Sequence, residues 1–296
     1  MSHAMPVISR RQLWLFVGVV IFWGVNWPLM KLVLAELDLW VFRSYCLVAG
    51  IVWFAAYHVK TGIPLALPRQ QVWRVALSAL CSVTAWNILS AAGLALLPSG
   101  RAGILAYTMP LWAVILSRLF LGEALTTQRV AAISIGMLGI ALLLVDEFRA
   151  LAGAPLGALM LIAAGLIWAV GTIVMKGIAK SVPTTSVVFW GFVLGGWPVF
   201  VGLALFGHGP WLPSGVAAWL GLVFNLTIVF GFCWFAWNAL ARELPAQVTG
   251  ISSLAVPIVG FISGVLILGE VPRPFDYVAL AALVAAVALV LKPARA

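Results

Sequence analysis

Residues 21–31 read IFWGVNWPLMK, and residues 166–176 read LIWAVGTIVMK. The first stretch lies in an otherwise apolar helix, yet it sets an Asn between two Trp, interrupts its run with Gly and Pro, and ends on Lys. The second keeps three of those landmarks in order. Trp23 aligns with Trp168, Met30 with Met175 and Lys31 with Lys176, each pair 145 residues apart. A further block recurs at nearly the same period: LLPSGRAGI (96–104) matches ELPAQVTGI (243–251), Pro110 matches Pro257, and Leu-Gly-Glu at 121–123 matches 268–270, all 147 apart. Ordered matches at one period identify two copies of one unit, with a drift that loops between helices absorb.

The solvent of those copies follows from composition. Hydrophobic residues fill 64% of 296 positions and charged residues 8%, against roughly 45–50% and 25% in soluble domains, so most of the chain lies in lipid. A bilayer-spanning helix takes about 20 mostly apolar residues. The chain divides at charge, Pro and Gly clusters into ten such stretches, at 13–34, 39–59, 72–95, 101–121, 129–146, 156–178, 184–206, 215–241, 245–268 and 275–292. Nothing alternates as the strands of a membrane β-barrel would. The expected fold is an all-α polytopic membrane protein of ten transmembrane helices. No connection exceeds about a dozen residues, so no attached soluble domain is expected. Arg10 and Arg11 lead into a segment with no cleavage site after it, which reads as an uncleaved first helix.

A net charge of +9 does not point to nucleic acid here, because the basic residues are spread over loops instead of gathered in a patch. The positive-inside rule accounts for them. With the N-terminus in the cytoplasm, 12 Lys and Arg fall on cytoplasmic segments and 4 on the opposite side, while Arg43 stays inside the second helix, near the outer face and reaching water or a carbonyl. Both termini are therefore expected in the cytoplasm. Cys46, Cys81 and Cys233 lack any ligand or redox spacing, and His3, His58 and His208 form no cluster, so neither a metal nor another cofactor is expected. No nucleophile and base meet at depth, which argues against an enzyme.

Each copy holds five spans, at 13–146 and 156–292, and an odd number places the second copy upside down relative to the first. Inverted repeats characterise secondary transporters, in which the halves rock around a site near the midplane. Together, the duplicated Trp and closing Met-Lys of each first helix, Arg43 in the second, a Pro-centred fourth helix and a Gly-Glu at its end resemble the EamA family of the drug/metabolite transporter superfamily. The resemblance covers about 13–292. Within the family, the length and the Trp-rich helices are similar to members that export aromatic amino acids. That likeness implies export of such solutes through a central cavity formed by both halves of a bacterial inner-membrane protein.

The residues carry their own reading. Trp23, Asn26, Trp27 and Met30 fall on one helical face, and an Asn within lipid turns toward a bundle interior. Packing of helix on helix is the competing role for Trp23 and Trp168. Pro110 removes a backbone donor and predicts a kink near Ala106 and Tyr107, and Pro257 predicts another beside Ser252 and Ser253. Both are candidate hinges. The resemblance implies a pocket lined by Trp23, Trp86, Asn87, Ser90, Tyr107, Met109, Trp168 and Ser253, to which the polar face adds Asn26. Lys31 and Lys176 read either as interfacial anchors or as gates at the two mouths. All eight carboxylates fall at helix ends or loops, so no proton-relay group stands at midplane and transport is expected to be gradient-driven. The expected partners are the lipid bilayer and a small amphipathic amino acid, with no nucleic acid and no required protein partner. A broad-specificity metabolite or drug exporter of the same fold is the alternative.

Overall fold

A computed structural model describes residues 9–121, 127–149, 154–243 and 246–291, and every regular element among them is helical. The backbone forms a succession of rods: α1 (Arg10–Leu34), α2 (Leu39–Thr61), α3 (Arg69–Leu96), α4 (Ser99–Ala106 and Met109–Leu121), α5 (Thr127–Arg149), α6 (Ala154–Lys176), α7 (Thr184–Phe206), α8 (Val216–Glu243), α9 (Ala246–Leu268) and α10 (Pro274–Leu291). Within the described residues, seven helices are long and apolar enough to cross a bilayer, namely α1 to α4 and α6 to α8. The other three contribute the shorter apolar stretches Val130–Leu142, Ala255–Leu268 and Pro274–Ala286. Helices prevail because a backbone in hydrocarbon must satisfy its own polar groups.

The packing exchanges the two copies. α1 lies against α8 and α9, while its repeat α6 lies against α3 and α4; α2 faces α7, and α5 faces α10. Lipid tails are as apolar as Leu, so small residues that permit close approach decide such contacts. Gly24 in the opening stretch is one of them. A Cβ there would stand 2.5 Å from the Val259 side chain and 3.1 Å from the Val256 carbonyl oxygen of α9. Gly171 in the second copy does the same against α3, where a Cβ would meet the Ser78 carbonyl oxygen at 3.1 Å.

Polar ties fasten the ends. Beyond α1, the Glu36 carboxylate accepts from the backbone N–H of Ser214 (2.7 Å) and Gly215 (2.9 Å) and so caps the start of α8. At the end carrying Lys176, Arg74 donates to the Gly177 carbonyl at 2.8 Å and Arg242 to that of Val182 at 2.7 Å. Arg101, assigned by the sequence to a helix start, is buried. Its guanidinium lies 2.6 Å from Asp276, and the two side chains are 1% and 7% exposed. Asp276 stands at a helix end as expected, but it is sealed there by its partner.

Two outcomes follow. Asp276→Ala removes the carboxylate from a buried guanidinium and is expected to cost about 3–5 kcal/mol, read as a lower unfolding midpoint in detergent; Arg101→Met with Asp276→Leu should recover most of it. The Glu36 carboxyl is held below the ordinary glutamate range, first by the Gly215 N–H and then by that of Ser214. A depressed carboxylate stabilises above its unfolded pKa, and that contribution is lost as pH falls through the folded value. Hydrogen exchange at Ser214 and Gly215 should therefore accelerate, beyond its intrinsic pH dependence, as pH falls below the glutamate range, and Glu36→Gln should abolish that added dependence.

Candidate functional site

Where α1, α2, α3, α4, α6 and α8 converge they line a cavity. Helix α1 lines it with Trp23, Asn26, Trp27 and Met30, the face that the heptad-like spacing selects. Trp86, Asn87 and Ser90 come from α3, Tyr107 and Met109 from α4, Trp168 from α6 and Trp234 from α8. All the pocket positions read from the sequence thus share one cavity except Ser253, whose side chain lies outside the described residues.

Two backbone irregularities aim these side chains. Helix α3 widens into a π-helical stretch at Leu80–Ala85 immediately before Trp86. Such turns leave carbonyls poorly paired and cluster at functional sites; here the Asn87 amide donates to the Val83 carbonyl at 2.7 Å. Helix α8 repeats the device at Asn225–Cys233, immediately before Trp234. Helix α4 is interrupted between Ala106 and Met109, one residue ahead of Pro110. The Thr108 hydroxyl donates to the Leu105 carbonyl at 2.8 Å across the break. Tyr107 therefore turns its ring toward Trp27, 6.3 Å away between centroids. By contrast α9 runs through the buried Pro257 without interruption.

Of the two partners expected for Arg43, water or a carbonyl, the structure shows the carbonyl: the side chain is 2% exposed and lines the cavity. Its Nε donates to the Asn87 carbonyl at 3.0 Å, and Nη2 lies 3.3 Å from both the Ser90 hydroxyl and the Met30 thioether. Among the described residues no carboxylate pairs with it. Arg43 is the fifth residue of α2, and neutral acceptors compensate a buried guanidinium only in part. The sequence signal was present, since Arg43 falls within an apolar span.

A second cavity lies between α3, α6, α7 and α8. Thr172 and Met175 on α6 line it, with Ser78 and Ser82 on α3 and Trp237 and Asn238 on α8. It is the repeat of the first, because Thr172 and Met175 stand 145 residues after Trp27 and Met30. Val188, 145 residues after Arg43, faces it, so the cation has no counterpart. Trp168 and Trp234 line both cavities. The Trp168 ring is a hub, with centroids of Trp86, Trp234, Trp23 and Trp237 at 4.8, 5.5, 6.1 and 6.3 Å.

The end residues stand apart from these walls. Lys31 donates to the Leu97 carbonyl and lies 3.8 Å from Glu270. Glu270 in turn accepts from the Ser99 N–H at 2.6 Å and the Gly100 N–H at 3.1 Å, which caps α4. Lys176 is exposed at the end of α6. No group of three or more His, Cys, Asp or Glu gathers as a metal site among the described residues.

The EamA-like transporter family matches residues 10–145 and, a second time, residues 155–292. The chain belongs to this family. As an EamA protein it is a multi-pass membrane transporter with one family unit in each half. It is 26% identical over 277 residues to a probable amino-acid metabolite efflux pump of Escherichia coli, covering 89% of each chain. It is 27% identical over 214 residues to the aromatic amino acid exporter YddG of Ancylobacter novellus, covering 71% of this chain and 72% of that one. One crystal structure, 22% identical, superposes with a TM-score of 0.71 over 97% of this chain and 99% of its own, so the EamA chain shares that fold.

The hub sets the test of this geometry. Trp168→Ala removes the ring common to both cavities and should cost about 3–5 kcal/mol, as large-to-small core changes do. The readout is the unfolding midpoint in detergent, where Trp168→Phe should lose less than half as much.

Proposed function

We propose that this protein exports amino acids with aromatic or other bulky side chains across a bacterial inner membrane by alternating access. Ten helices cross the bilayer in this reading, as inverted units at 13–146 and 156–292, with both termini in the cytoplasm. One observation carries it: a cavity walled by Trp23, Trp27, Trp86, Tyr107, Trp168 and Trp234 adjoins its repeat-related twin across the Trp168 and Trp234 rings. Planar rings suit an aromatic side chain, and Met30 and Met109 adapt to its outline. Asn26, Asn87 and Ser90 supply the polar contacts. The exchange of helix partners between copies supports rocking of one half on the other.

In this scheme substrate passes from the cavity on the Lys176 side to the one on the Lys31 side, with Lys31 and Lys176 as end gates and Pro110 and Pro257 as hinges. Ser253 joins the wall. The described carboxylates of Glu36, Asp38, Glu243, Glu270 and Asp276 all stand at helix ends, which supports transport down the substrate's own gradient.

Counterflow in proteoliposomes against amino acids, sugars and cationic drugs tests the reading. Phenylalanine, tryptophan and methionine should exchange, and cationic drugs should not; failure of every amino acid to exchange overturns it. An imposed pH gradient at fixed substrate should leave the final distribution unchanged, and uphill accumulation would remove the gradient-driven mechanism.

A further inference from the structure

The two cavities are built alike and differ in charge. Trp23 and Met30 face one, Trp168 and Met175 the other, yet the position that holds Arg43 in the first holds Val188 in the second. The Arg43 guanidinium has five N–H donors, and these meet one carbonyl, one hydroxyl and two weakly accepting sulfurs, the Met30 thioether and the Cys46 thiol, with the Phe42 ring 4.9 Å away. A buried cation left with neutral partners is incomplete, and a carboxylate is the guest whose two oxygens match the planar fork. On the facing helix, the Oδ1 of Asn26 is buried without a hydrogen-bond partner. Asn26 precedes Met30, which touches Arg43, by one turn of α1.

We propose that Arg43 anchors the carboxylate of the transported molecule and that Asn26 meets its ammonium, so that the first cavity selects aromatic carboxylates and binds the amino group second. This deepens the amino-acid reading and rests on it only for the ammonium. A fixed charge facing a carboxylate outweighs a neutral amide facing an ammonium, because charge-assisted hydrogen bonds are roughly twice as strong as neutral ones. Rotation of the Asn26 amide about its terminal bond turns Oδ1 toward the guest. The ring then stacks among Trp23, Trp86 and Trp168. A cationic amine without a carboxylate meets Arg43 as a like charge and is rejected. The second cavity, lacking a cation, holds the same molecule more weakly, so the anchor sits on the Lys31 side of the Trp hub.

The test uses purified protein in detergent titrated with phenylalanine, 3-phenylpropionate and phenethylamine, with binding read by calorimetry. For the unaltered protein, 3-phenylpropionate should bind within about ten-fold of phenylalanine, and phenethylamine about ten- to a hundred-fold more weakly. Equal binding of the amine and the carboxylate overturns the anchor without recourse to any variant. Arg43→Gln should weaken phenylalanine and 3-phenylpropionate by about the same ten- to hundred-fold and strengthen the weak amine, whose like-charge repulsion it removes, while Arg43→Lys restores part of the loss. Asn26→Leu should weaken phenylalanine and spare 3-phenylpropionate; equal loss for both defeats the ammonium assignment. Phenylalanine counterflow inhibited equally by amine and carboxylate would retain the exporter and remove the anchor. Arg43-dependent binding of 3-phenylpropionate with no amino acid exchange would do the reverse.

Discussion

Trp23 and Trp168 are copies of one another, and their rings meet edge to face, 6.1 Å apart at 85°. The geometry is the one an aromatic quadrupole prefers, the positive edge of one ring against the negative face of the other. Trp86 and Trp234 pack on Trp168, and Trp237 packs on both rings of the pair, so indoles wall the two cavities where they meet.

Around that cluster, lipid removes the usual hydrophobic gain between helices and leaves close approach and satisfied polar groups to hold the bundle. Gly24 and Gly171 provide the approach. On the Lys31 side Glu36 and Glu270 accept from the helix starts of α8 and α4, and Lys31 donates to the Leu97 carbonyl. On the Lys176 side guanidinium groups donate to loop carbonyls, from Arg74 and Arg242.

Much of this was legible in the sequence, for identifiable reasons. Helix periodicity put Trp23, Asn26 and Met30 on one face, and the Asn turned that face inward, while the rest of the wall came from the resemblance to the family. Pro110 announced the interruption of α4 because proline removes a donor wherever it sits in a helix. Pro257 carries the same chemistry, yet α9 continues through it. Arg43 was expected to reach water or a carbonyl and does reach one, but that it lines the cavity was not legible, because this depends on acceptors from α1 and α3 that no local pattern reveals. The Arg101–Asp276 pair was missed for a related reason, as its members stand 175 residues apart. Nor does any residue preference mark the wide turns of α3 and α8, which arise from how whole helices settle.

Those wide turns also bear on the duplication. Trp-Asn occurs at 86–87 and again at 237–238, lining one cavity each, at a separation of 151 residues instead of the 145 and 147 of the flanking segments. Yet α3 and α8 are both 28 residues long, and Trp234 follows its wide stretch directly, as Trp86 follows its own. The copies have kept the length of the rod and differ in how far it is unwound, over 6 residues in α3 and 9 in α8. A change of pitch inside a membrane span thus alters which side chains a helix turns to a cavity without adding a residue, where a loop would have no water to enter.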